Sequence, residues 1–141
     1  MASTVWMVSA RTGVAGRKGT LSLEAGAIVF RPASTAFGDT IVPLRALRKV
    51  RRVPGSPVLE LRMAVADLPP VVAFYFVPPP DLNPPEDLRV RLLPKRAARK
   101  DAIAQLRQGN VRKKAEISRW EQAIERARLS MHRDRDEFET S

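Results

Sequence analysis

The feature that most constrains the fold of this chain is a change of punctuation at Pro78-Pro79-Pro80. From Thr4 to Val77, short apolar runs are interrupted every few residues by Gly, Pro or Ser. Beyond Pro94 no further proline occurs, and Ala, Arg, Lys, Glu and Gln dominate. Breakers at that density leave no room for a long helix in the first part, and strong helix formers without breakers favour one in the second. The chain is therefore expected to build strands first and helix last.

Seven runs have the character of strands. Val5 to Arg11 places Trp6, Val8 and Ala10 on one face, and Thr20 to Glu24 points Leu21 and Leu23 inward with Thr20, Ser22 and Glu24 outward. Ala25-Gly26 is a hairpin signal leading to Ala27 to Arg31, where Ile28 and Phe30 share a face. Pro32 to Asp39 is a polar loop, and Ile41 to Leu44 is the fourth run. Leu47 to Val53 is the fifth; the three-residue spacing of Leu44, Leu47 and Val50 would also suit a helical turn, but Val50, Val53 and the Pro54-Gly55-Ser56-Pro57 turn favour an extended segment. Val58 to Met63 aligns Leu59, Leu61 and Met63, and Val71 to Val77 aligns Val72, Phe74 and Phe76.

Residues 78–94 read as a proline-rich linker, since consecutive prolines hold the chain extended and cannot donate backbone hydrogen bonds. Residues 95–131 read as helical, with Ile103, Leu106, Asn110, Lys113, Ile117, Trp120, Ile124, Ala127 and Met131 on one face. Gly109-Asn110 is a helix stop signal inside that face, so the periodicity allows two helices or one kinked helix. Residues 132–141 read as a polar tail.

The 141 residues suit one domain. The absence of cysteine removes disulfides, thiol nucleophiles and thiolate metal sites, and a single histidine, His132, excludes a multi-His centre; no metal or cofactor is expected. No apolar stretch approaches the roughly 20 residues of a membrane-spanning helix. Met1 to Trp6 lacks the charged and apolar regions of a secretory signal, so a cytoplasmic location is expected.

Catalysis finds little to use. His132 lies beside Arg133 and Arg135 near the helix end, and the acidic pairs Glu86 and Asp87, or Asp134 and Asp136, fall in the linker or tail. Gly13 to Thr20 superficially resembles a phosphate-binding loop, but Gly19 separates Lys18 from Thr20 and a strand follows where the motif needs a helix. The expectation is a binding or scaffold module and no enzyme.

Charge is the unusual quantity. Lys plus Arg number 25 against 15 Asp plus Glu, a formal net charge of +10, divided evenly between the two parts of the chain. Anionic partners follow as candidates. Arg11, Arg17 and Lys18 flank the first hairpin, while Arg45, Arg48, Lys49, Arg51 and Arg52 form the densest cluster. In a strand, Arg48 and Arg52 would share one face with Val50, and Lys49 and Arg51 the other. Nucleic acid is disfavoured, because aromatic residues make up 6% of the chain and no exposed aromatic pair is expected to interleave the cations as a stacking platform.

Gly19-Thr-Leu-Ser-Leu, Ala27-Ile-Val-Phe-Arg-Pro and Thr40-Ile-Val-Pro-Leu resemble the opening strands of pleckstrin homology domains and the related GRAM-type domains. Glu116-Ile-Ser-Arg-Trp-Glu-Gln-Ala-Ile-Glu-Arg-Ala resembles their terminal helix, and the resemblance covers residues 4–77 and 111–131. It implies a mainly β fold with a C-terminal α-helix: a seven-stranded antiparallel β-sandwich or partly open barrel at 1–77, capped by residues 111–131 through Trp120, Ile117 and Ile124. It also implies an anionic phospholipid headgroup as ligand, with Arg11, Arg17 and Lys18 as contacts and the 45–52 cations as a secondary cluster. Two departures are visible: residues 78–110 intervene before the helix, and Thr20 stands where lipid-binding members carry a further cation. The implied binding is weak and electrostatic, at the inner membrane surface, with a protein partner as the alternative.

Overall fold

The computed structural model describes residues 1–9, 16–79 and 95–139. Seven strands form one antiparallel sheet: β1 (Ala2–Val8), β2 (Arg17–Glu24), β3 (Ala27–Pro32), β4 (Thr40–Pro43), β5 (Leu47–Arg52), β6 (Val58–Met63) and β7 (Val71–Tyr75). A 3-10 turn, Leu44–Ala46, joins β4 to β5, and one helix, α1 (Lys95–Glu139), follows. The spatial order is β4-β3-β2-β1-β7-β6-β5, and the sheet does not close on itself. This is the expected sandwich or partly open barrel with a C-terminal helix.

β1 holds the two halves together. Ala2 to Met7 pair with β2, and Trp6 to Val8 pair with β7. Its inward residues are Ser3, Val5 and Met7, all buried, while Trp6 and Val8 lie on the opposite face. The first strand was expected to run from Val5 to Arg11; it begins earlier and ends at Val8, and residues 10–15 lie outside the described residues. Its sequence alternates apolar side chains on both faces, so periodicity could not say which face meets the core.

The interior combines the inward faces of the other strands, Leu21, Ile28, Phe30, Val42, Leu59, Leu61, Met63, Val72 and Phe74 among them. Phe30 and Phe74 meet with ring centroids 5.9 Å apart, tilted by 42°. Gly19 is required there by space, since a Cβ at that position would lie 2.7 Å from the Phe30 ring and against the Arg31 carbonyl oxygen. Its place in the glycine-rich run is thus explained by packing.

Both readings of residues 44–50 have a counterpart. Leu44 to Ala46 make a single 3-10 turn, and the extended strand begins at Leu47. A bulge falls between Leu47 and Lys49, leaving Arg48 as the extra residue.

α1 is one helix of 45 residues, about 67 Å long at 1.5 Å per residue. It passes through Gly109-Asn110 without ending and continues beyond the expected boundary at 131 to Glu139. Gly109 is buried, and a Cβ there would stand 3.0 Å from Pro57 Cγ and from both Val77 γ-carbons. The glycine marks a close crossing between helix and sheet, a role that a local stop signal does not distinguish. Of the linker expected at 78–94, residues 80–94 lie outside the described residues.

Ile117, Trp120 and Ile124 are fully buried in the same core as Leu21, Phe30 and Phe74. The Trp120 indole donates a hydrogen bond of 2.9 Å from Nε1 to Ser3 Oγ, a contact spanning 117 positions in sequence. Ser3 is the buried polar side chain of the described core, so helix and first strand satisfy each other's polar atoms. Arg128 Nη2 adds a 3.2 Å hydrogen bond to the Leu47 carbonyl on the edge strand β5.

Candidate functional site

Arg17 and Lys18 open β2, and as successive strand residues they leave the sheet on opposite faces. The Arg17 guanidinium carbon lies 3.8 Å from the centroid of the Phe37 ring. Lys18 Nζ lies 5.7 Å from the Trp6 ring. Among the described residues neither cation forms an ion pair. Arg11 lies outside the described residues.

Phe37 belongs to the loop between β3 and β4, which is fastened to β2 by the Ala33 amide donating to the Lys18 carbonyl at 2.9 Å. Within it, the Phe37 amide donates to the Ser34 carbonyl at 3.4 Å and the Ala36 amide to Ser34 Oγ at 3.3 Å. These short-range bonds hold an aromatic ring that is 43% exposed beside a guanidinium. An arginine face on an aromatic ring gains cation–π attraction and keeps its in-plane N–H donors free for an anion.

Arg31, on the neighbouring strand, is differently occupied. It pairs with Glu24 at 2.7 Å and Asp39 at 3.8 Å, and donates to Ser22 Oγ at 3.1 Å. Its charge is met within the sheet, whereas that of Arg17 and Lys18 is not.

The second basic cluster is dispersed. Arg45 is exposed on the 3-10 turn, and Arg48 is exposed at the bulge. Lys49 and Arg51 lie on the outer face opposite Arg62 and Glu60, and Glu60 Oε1 accepts both Arg51 at 3.4 Å and Arg62 at 3.0 Å. Arg52 follows Val50 on the inward side, opposite Leu59, with Nη1 buried and unpartnered. The alternation expected for Lys49 to Arg52 is present, and the bulge sets Arg48 apart from it.

Sequence reasoning missed three aromatic residues. Phe37 had a legible signal, a lone large apolar side chain in an otherwise small and polar loop. Trp6 and Tyr75 had none. Strand register sets Trp6 opposite Lys18 on one side and opposite Tyr75 on the other, with both rings half-buried on the outer face. The expectation was of no exposed aromatic pair interleaving the cations; the pair present is only partly exposed and has Lys18 on one side, and because its members are 69 positions apart, the pairing of β1 with β7 alone brings them together.

Among the described residues, no group of three or more His, Cys, Asp or Glu is placed to hold a metal ion, and no helix is long and apolar enough to cross a membrane. Residues 86–87 and the side chains of His132, Asp134 and Asp136 lie outside what the structure describes. No protein-family model matches the sequence, and no curated protein matches it.

Proposed function

We propose that this chain is a non-enzymatic binding module, similar in kind to pleckstrin homology domains, that associates weakly with anionic phospholipid headgroups at a membrane surface. The observation that carries the reading is the Arg17 guanidinium stacked 3.8 Å over the half-exposed Phe37 ring. A headgroup phosphate can take the guanidinium N–H donors while the ring enters the acyl boundary, and Lys18 on the next residue adds a second charge. Each basic side chain near an anionic bilayer contributes about 1 kcal/mol, so two or three give reversible, salt-sensitive association. The seven antiparallel strands and the buried Trp120 are also what the family resemblance leads one to expect.

The test is co-sedimentation with vesicles of phosphatidylserine and phosphatidylcholine near physiological ionic strength, beside vesicles of phosphatidylcholine alone. The wild type should pellet with the anionic vesicles, Arg17→Glu/Lys18→Glu should not, and Phe37→Ala should be several-fold weaker. A wild type that ignores anionic vesicles, or a charge-reversed variant that still binds them, would sink the reading and leave a protein partner as the alternative.

A further inference from the structure

The outer face of the sheet carries a row of which the headgroup reading uses Lys18 alone. Lys18, Trp6, Tyr75 and Val58 are consecutive register partners across β2, β1, β7 and β6. Neighbouring strands lie about 4.8 Å apart, so Lys18, Trp6 and Tyr75 fall within about 10 Å along a line across the sheet. Ala2, Thr4, Thr20, Ser22 and Ala73 occupy the same face by register, with Val8 and the buried Val58 beside the rings. Short side chains on these positions leave part of each ring open to solvent. Trp6 and Tyr75 are both partly exposed, whereas the other tryptophan, Trp120, is fully buried.

The charge on this face has one sign in excess. By register its strand residues include five cations, Lys18, Arg31, Lys49, Arg51 and Arg62, against the two carboxylates Glu24 and Glu60. Arg31 is held by Glu24, and Arg51 and Arg62 share Glu60, so Lys18 and Lys49 add charge that no carboxylate of the face opposes. Arg62 lies one strand over and four residues along from Tyr75, about 13 Å at the strand rise, a span of two to three nucleotides. A neutral sugar would use the rings and gain nothing from the cations. A duplex would meet the cations while its bases stayed stacked out of reach of the rings.

We propose that this face binds single-stranded nucleic acid, with Trp6 and Tyr75 as stacking platforms for bases and Lys18, Lys49 and Arg62 as contacts to the phosphates. Base-on-aromatic stacking tolerates any sequence, because every base has a π face, so the specificity is for unpaired strands and not for a motif. Lys18 sits within cation–π range of the Trp6 ring and is exposed, placed to follow the backbone of a strand whose base stacks on that ring. Lys18 serves both readings, but the Arg17 and Phe37 pair lies on the other side of β2 from Trp6 and Tyr75, so Phe37→Ala and Trp6→Ala let the two readings fail independently.

The experiment is fluorescence anisotropy with a labelled oligothymidylate and with a duplex of equal length, near physiological ionic strength. The single strand should bind at least ten-fold more tightly than the duplex. Trp6→Ala and Tyr75→Ala should each weaken it about ten-fold or more, and Trp6→Phe, which keeps a π face, should stay within a few-fold of wild type. Lys18→Ala should lower the slope of log affinity against log salt by about 0.7, one phosphate contact on a single strand. Phe37→Ala should leave oligothymidylate binding unchanged while weakening vesicle binding. Because Trp120 is buried, quenching of intrinsic fluorescence by oligothymidylate reports on Trp6 in the unaltered protein, which covers the case of a variant that fails to fold. Equal affinity for duplex and single strand, an unquenched Trp6, or undiminished binding by a folded Trp6→Ala variant would overturn the proposal.

Discussion

The two faces of the sheet are built by different rules. The inner face is continuous and apolar: Val5, Leu21, Ile28, Phe30, Leu59, Leu61, Val72 and Phe74 are each no more than 1% exposed, and α1 adds Ile117, Trp120 and Ile124. The outer face is a mosaic of ion pairs, small polar residues and two aromatic rings, with Ile41 and Val71 in the open. Stability concentrates on the first, where many side chains share one boundary with water and any truncation leaves a cavity. The second face and its rim are where single side chains keep donors, charge or ring faces free. Charge density in the sequence is a poor guide to where unopposed charge gathers in the fold. The densest cluster, 45–52, is split by a bulge, an acidic neighbour and an inward turn, whereas the sparse pair Arg17 and Lys18 remains unopposed.

Substitutions on the two faces test that division. The largest effect is expected at Trp120→Ala, which removes a fully buried indole and should cost roughly 3–5 kcal/mol in chemical denaturation. Trp6→Ala should cost clearly less, and equal losses at the two tryptophans would erase the distinction between the faces. Gly19→Ala tests how tightly the inner face is filled: its Cβ meets the Phe30 ring and the Arg31 carbonyl, and a loss of about 3 kcal/mol is expected from overpacking. A thermal midpoint unchanged from wild type would show that β2 and β3 can separate at no cost. Ser3→Ala leaves the Trp120 Nε1–H buried without its acceptor, and about 2 kcal/mol should be lost, with a smaller loss in the Trp120→Phe background. A double-mutant cycle with no coupling would dissociate the hydrogen bond from stability. Smallest of all is Glu24→Gln on the outer face. Its pair with Arg31 has both side chains nearly half exposed, and the loss should stay under about 1 kcal/mol, shrinking further in high salt.

Strand existence was legible because breakers and alternation are local signals. Val58 to Met63 was expected at the bounds it has, and Leu59, Leu61 and Met63 face the core as their spacing indicates. β1 was the weak point: apolar residues on both faces make its two orientations equivalent until β2 and β7 choose between them. Gly109 shows the same ambiguity in helical form, since glycine ends a helix when it stands alone and admits a neighbour when the helix crosses Pro57 and Val77. At the candidate site, Arg17 and Lys18 were visible as charge near a hairpin, but which aromatic residues would meet them was not. Phe37 reaches Arg17 through the fastening of one loop to β2, and Tyr75 reaches Trp6 through a pairing between the first and last strands.

The sequence by itself determined the order of strands and helix, the inward residues of most strands, and the use of a helical stripe containing Ile117, Trp120 and Ile124, because these follow from periodicity, propensity and breakers within a few residues of one another. Tertiary structure decided the rest: the partner of the Trp120 indole, the face on which β1 is buried, the continuity of α1 through Gly109, and the meeting of Lys18, Trp6 and Tyr75. Each of these depends on which distant segments touch. That is set by the summed burial of the whole core, and no local window of sequence contains it.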